Sequence, residues 1–112
     1  MARKSAANPM ASCIAEGEAG YVMTLPASMQ GETATQIADA ILSARTNALI
    51  VDATAVERID TPCIQVLMSA ARLWREDGMP LTWSGRSTIF EENLDTLGLS
   101  AADLEVGDAN HA

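Results

Sequence analysis

The chain has 112 residues, 48% of them apolar, and seven Lys and Arg against fifteen Asp and Glu leave a formal charge of −8, with one His near the end. This length supports one domain with one core and is too short for a two-domain cleft enzyme. The acidic balance argues against a nucleic-acid binder, because counterion release needs clustered Lys and Arg, and the patterned apolar half argues against an acidic disordered chain.

In chain order, residues 1–10 read as a flexible lead-in, 11–106 as a single domain and 107–112 as a polar tail. The start, Met1-Ala2-Arg3-Lys4-Ser5, is basic, but no apolar h-region follows before Asn8-Pro9, and no apolar run approaches the ~20 residues of a membrane span. The expectation is a cytoplasmic protein with no direct membrane insertion. Two apolar stretches, around Ser12-Cys13-Ile14-Ala15 and Tyr21-Val22-Met23-Thr24-Leu25, flank Glu16-Gly17-Glu18-Ala19-Gly20, whose glycines suit a hairpin turn.

Thr33-x-x-Gln36 has the form of a capping box, and Ala34, Ile37, Ala38, Ile41 and Leu42 recur at helical spacing on one face. This first helix should stop near Arg45-Thr46-Asn47, with Asn47 in the left-handed position. Residues 48–53 are apolar without alternation up to Asp52, which predicts a central parallel strand buried on both faces. A loop over 54–60 leads to a second helix over 61–77, closed by Gly78 with Pro80 beyond it. Leu81-Thr82-Trp83-Ser84 reads as a strand. Thr88-x-x-Glu91 suggests another capping box, opening a third helix with Phe90, Leu94 and Leu97 on one face and Gly98 at its end. Residues 102–106 suit a last edge strand. Alternating strands and helices from residue 48 onward predict an α/β fold, a small mixed sheet of four to five strands with helices packed on it.

In open α/β sheets, ligands gather where a strand's carboxyl end turns into a helix. Here that place is residues 56–63. Pro62 suits the first helical position, which puts Thr61 at the N-cap; if the helix starts one residue earlier, Asp60 takes that role. Thr61 reads either as a plain cap or as a phosphoacceptor, where an added charge of about −1.5 to −2 would lie beside Asp60 and Glu57. On the second helix Gln65, Ser69 and Arg72 form a narrow polar stripe. Cys63, Ile64, Val66, Leu67, Met68, Ala70 and Ala71 cover most of the remaining circumference. That surplus of apolar surface fits a neighbouring helix or an exposed strip for a partner.

The stretch from Leu49 to Leu99 resembles the STAS domain, the module of sulfate transporters and anti-sigma-factor antagonists. The resemblance rests on Leu49-Ile50-Val51-Asp52, Ile59-Asp60-Thr61, the run from Arg72 to Gly78, Leu81-Thr82-Trp83 and Leu94-Asp95-Thr96-Leu97-Gly98-Leu99. More narrowly, Val51-Asp52-Ala53-Thr54, Gln65-Val66-Leu67-Met68, Trp74 and Asp77-Gly78 look like short single-domain STAS proteins encoded beside chemotaxis genes in alphaproteobacteria. The resemblance implies a STAS-like fold and a phosphoacceptor role for Thr61, with Asp60 shaping its surroundings. It also implies a partner of histidine-kinase type, from chemotaxis or an anti-sigma-factor kinase. Asp60, Thr61, Pro62, Gln65, Val66, Ser69 and Arg72 would form the docking surface. The sequence departs from the pattern at Pro62 and Cys63, where the family usually has a small residue and Gly. The Asp-Thr pair also occurs in STAS subunits of lipid-transport ATPases, where the Thr supports docking without phosphorylation; this supplies an alternative reading.

An enzyme is not indicated: the sequence has no internal His, no Walker-type loop, no GxSxG and no Cys-His pairing. Cys13 and Cys63, without CxxC or a companion His, read as small buried hydrophobes rather than as zinc ligands or a disulfide. Asp52 and Asp60 read as a solvated rim and a cap rather than a metal pair. No cofactor is expected. Glu16, Glu18, Glu32, Asp39, Glu91, Glu92, Asp95, Asp103, Glu105 and Asp108 place much of the acidity outside the nearly neutral second helix.

Overall fold

The computed structural model of the protein describes residues 13–18 and 20–107; the lead-in expected over 1–10, Ser12 and Ala19 of the hairpin, and the tail past 107 lie outside them. Strands β1 (Ile14–Gly17) and β2 (Gly20–Thr24) form the expected antiparallel hairpin. Gly20 is required there by close approach as well as by conformation. Its φ is +136°, and a Cβ would lie 2.4 Å from the carbonyl oxygen of Ala48.

Short strand β3 (Ser28–Met29) and helix α1 (Thr33–Leu42) follow, then strand β4 (Leu49–Ala53), short strand β5 (Arg58–Ile59), helix α2 (Thr61–Asp77), strand β6 (Leu81–Arg86) and helix α3 (Thr88–Thr96). The main sheet has the order β1-β2-β4-β6, with β4 parallel to both neighbours. Parallel neighbours need crossovers, which α1 and α2 supply. β3 and β5 pair in a second, parallel, two-stranded sheet. β5 falls within the 54–60 stretch expected as a loop, because a ladder of two residues is too short to show any period.

β4 is central and parallel as expected, but its burial alternates. Leu49, Val51 and Ala53 are buried, whereas Ile50 and Asp52 are half-buried on the face shared with exposed Val22 and Thr82. The buried strand residues share the face that packs on the helices, so among the described residues one face of this sheet is covered and the other is not. On the covered side Met23, Val51 and Leu81 meet Ile37, Ile41, Ile64, Leu67 and Trp74 in one core. Each such side chain contributes about 1.5–3 kcal/mol. This packing, rather than propensity, sustains α1, whose ten residues fall below the ~12–15 that an isolated helix needs.

Local expectations are corrected at the element ends. The predicted box at Thr33 and Gln36 does not cap α1. Thr33 is already helical, and the flanking residue is Glu32, itself αR with no side-chain cap bond. The turn at Gly31 feeds the helix directly, with the N–H groups of Thr33 and Ala34 donating to the carbonyls of Gln30 and Gly31. Leu42, placed by its period on the buried face, is 50% exposed. After α1 it is Thr46, not Asn47, that takes positive φ (73°). Asn47 is held otherwise: its amide donates to the carbonyls of Ala44 and Arg45, and its own carbonyl accepts the Trp74 indole N–H at 2.7 Å.

Ser87, one residue before the predicted cap, accepts from the N–H of Phe90 at 3.1 Å and donates to the carbonyl of Val56, while Glu91 pairs with Arg86 instead of closing a box. Phe90 and Leu94 are buried, but Leu97 falls past the last turn and is 43% exposed. The predicted last strand is a 3₁₀ turn (Ala101–Leu104), stabilised by a box between Ser100 and Asp103. Only Val106 bridges to β6, at Leu81. Gly78 closes α2 in the left-handed conformation (φ 71°), as expected.

Candidate functional site

The start of α2 is set by Asp60, the second of the two caps the sequence allowed. With φ −97° and ψ 168°, Asp60 is extended, and its Oδ1 accepts from the N–H of Cys63 at 3.1 Å. Thr61 is thereby the first helical residue and not the cap, a correction to the first expectation. Its side chain is exposed. Pro62 follows within the first turn, where its missing N–H leaves no bond unmade.

Asp60 does more than cap. Its second oxygen, Oδ2, accepts from the N–H of Gly31 at 2.9 Å, so one carboxylate ties the turn before α1 to the start of α2. The Gly31 bond, followed by those from Cys63, holds the Asp60 carboxyl below the usual carboxylate range. At the other end of the helix pair the Arg45 guanidinium meets Asp77 in a two-bond ion pair, 3.0 and 3.2 Å. That pairing lowers the Asp77 pKa and raises that of Arg45. The two helices therefore run side by side in the same direction, fastened at both ends.

Between them lies an open groove of about 490 Å³. Its α1 wall is Ala34, Thr35, Ala38, Ile41 and Leu42; its α2 wall is Pro62, Gln65, Val66, Ser69, Ala70 and Leu73. Of the seven residues proposed from sequence for docking, Pro62, Gln65, Val66 and Ser69 line this groove. Asp60 and Thr61 stand immediately before Pro62, and Arg72 lies outside the lining, exposed one turn past Ser69. The apolar surplus of α2 is thus divided. Cys63, Ile64, Leu67, Ala70 and Ala71 are buried, Val66 is half-buried beside the groove, and Met68 is 37% exposed. Ala34, Ala38, Ile41 and Leu42 of the α1 wall have the spacing of a wholly buried face, so no local pattern marks them as a groove lining, although Leu42 is 50% exposed.

Other candidates are occupied structurally. Asp52 accepts from both the N–H and the hydroxyl of Thr54, at 2.9 and 2.7 Å, and these bonds lower its pKa. Cys63 is buried, and desolvation together with the neighbouring Asp60 carboxylate pushes its thiol up to about 12. Neither Cys13, which is half-buried, nor Cys63 is in a disulfide among the described residues. Among the described residues no group of three or more His, Cys, Asp or Glu is placed to hold a metal ion, and no helix is long and apolar enough to cross a membrane.

The family model described as "Mlab, STAS domain" matches residues 14–105. The chain belongs to the STAS domain family. STAS domains are in general non-catalytic regulatory domains that bind protein partners. No curated protein matches the sequence. A solved structure reported as "Crystal Structure Analysis of Mglu" is similar with a TM-score of 0.61 and 17% identity, over 70% of this chain and 21% of that one. At that identity the likeness concerns the fold, and the chain spans about a fifth of that protein's length. In this STAS domain the Asp-Thr pair stands at the mouth of the α1–α2 groove, with Asp60 turned inward as a clamp and Thr61 outward.

Proposed function

We propose that the protein is a non-catalytic regulatory switch that docks the α1–α2 groove and the Asp60-Thr61 turn on a histidine-kinase-type protein of chemotaxis or an anti-sigma-factor kinase. The observation that carries this reading is the juxtaposition of an exposed hydroxyl with an open, largely apolar groove: Thr61 directly precedes groove-lining Pro62. Apolar contact in the groove would supply affinity, and the charge state of Thr61 would control it.

The local hydrogen bonding supports release by repulsion. A phosphate on Thr61 would find few donors in the first turn, because Pro62 has none, Cys63 donates to the Asp60 side chain and Ile64 donates to the Asp60 carbonyl. The added charge would remain hydrated beside the Asp60 carboxylate and repel an apposed surface. The test is Thr61→Glu, which should bind the purified kinase at least tenfold more weakly, about 1.4 kcal/mol, while unfolding at an unchanged temperature. Equal binding by the two proteins would remove the switch.

The same shortage of donors favours a second reading. In it Thr61 is a contact residue that is never phosphorylated, and the chain is a regulatory subunit of a lipid-transport ATPase. Co-purification with a nucleotide-binding ATPase subunit, and unmodified Thr61 by mass spectrometry of the native protein, would support it over the first.

A further inference from the structure

Beyond docking in general, we infer that the α1–α2 groove receives one helix of the partner, amphipathic and basic, lying along the two helices with its apolar stripe turned into the cleft. This rests on the docking reading above and names the chemistry of the docked element.

Three features carry it. First, the groove is elongated. It runs beside α1, whose ten residues span about 15 Å at 1.5 Å per residue, so it accommodates two to three turns of a third helix and apolar side chains at i, i+3 or i+4, and i+7. Second, its polar lining is limited to the side chains of Thr35, Gln65 and Ser69, which suits side chains packing on apolar walls better than a ligand recognised by many hydrogen bonds. The ties at Asp60 and at Arg45–Asp77 link the two walls at both ends of the groove.

Third, the rim is acidic. Residues three or four apart on a helix share a side, so Glu32 and Asp39 border the wall at Thr35. Glu76, three residues beyond Leu73, borders the opposite wall, and all three are exposed. Among the described residues Arg72, three residues beyond Ser69, is the one cation on these borders apart from Arg45, which pairs with Asp77. Three carboxylates against one guanidinium favour Lys and Arg on the flanks of the docked helix. In a chain of net charge −8 the same rim would speed encounter with a basic element.

The full chain is titrated by NMR with an 18-residue amphipathic Leu/Lys helix and with its Leu/Glu counterpart. The Leu/Lys peptide should bind at least tenfold tighter and shift the amides of Ala34, Ala38, Val66 and Ser69. Ala38→Gln and Ser69→Gln, which plug the groove without changing charge, should each weaken it at least tenfold; two variants guard against one being misfolded. Asp39→Lys should narrow the difference between the peptides. Binding that ignores both plugs, shifts centred on the open face of the sheet, or equal binding of the two peptides would overturn the inference. So would a dimer of the free protein that Ala38→Gln dissociates, since a second copy would then own the groove. Parallel titration of the kinase separates the two claims. Peptide binding without kinase binding overturns the kinase reading and leaves the groove assignment standing; kinase binding that survives both plugs does the reverse.

Discussion

Replacing Asp60 by Ala removes one carboxylate and two bonds at once, the cap on the N–H of Cys63 at 3.1 Å and the tie to the N–H of Gly31 at 2.9 Å. Losing a cap costs about 0.5–2 kcal/mol. The bond to Gly31 involves a charged acceptor at an exposed position, so it is taken at the low end, about 1 kcal/mol. Together they give about 1.5–3 kcal/mol. At about 4–8 °C per kcal/mol for a domain near this size, Asp60→Ala should lower the melting temperature by about 6–24 °C. Asp60→Asn separates the two bonds. Asn caps as well as Asp, and its oxygen can still accept from Cys63, but its amide nitrogen cannot accept from Gly31. It should therefore lose only about 1 kcal/mol, or about 4–8 °C. Circular dichroism melts of the three proteins at pH 7 measure this directly. An Asp60→Ala melt within 2 °C of the parent would refute the clamp. Asn and Ala variants equally destabilised would refute the division between cap and tie.

Further outcomes follow from the same geometry. Thr61→Ala should change stability by less than about 0.5 kcal/mol in urea unfolding, because an exposed residue past the cap carries no helix-start bond. Asp52, Asp60 and Asp77 all have folded-state pKa values below the ordinary range. Their contributions are therefore present above the unfolded carboxylate pKa of about 3.9 and lost as pH falls through the folded values. Melting temperature should hold from about pH 7 to 5 and drop below about pH 4, and Asp60→Asn should flatten that drop. The Cys63 thiol, buried and raised to about 12, should not react with a disulfide reagent at pH 8 in a folded Cys13→Ser protein, and should react promptly in urea.

The elements whose signals are local were legible in the sequence. The β1–β2 hairpin, the 3.6-residue period of α1 and α2, and the Gly78 stop each depend on neighbours a few residues away. The caps were legible only to within one residue: Ser87 and Asp60 each displaced a predicted Thr. The choice between adjacent polar residues depends on distant partners, the carbonyl of Val56 for Ser87 and the N–H of Gly31 for Asp60. The site was half legible for the same reason. Pro62, Gln65, Val66 and Ser69 could be named from the pattern of α2, whereas their opposite wall belongs to another helix about thirty residues earlier.

By itself, then, the sequence determined an α/β fold with a central parallel strand, its acidity, and the Asp-Thr turn at the head of an apolar helix, because composition, period and turn chemistry are properties of short stretches. Tertiary structure alone decided that Asp60 reaches Gly31, that Thr61 is exposed, that Ile50 and Asp52 of β4 are only half-buried, and that α1 and α2 together form the two walls of a groove. Those facts are separations between segments far apart in the chain, and no local pattern encodes a separation that the packing of a common core sets.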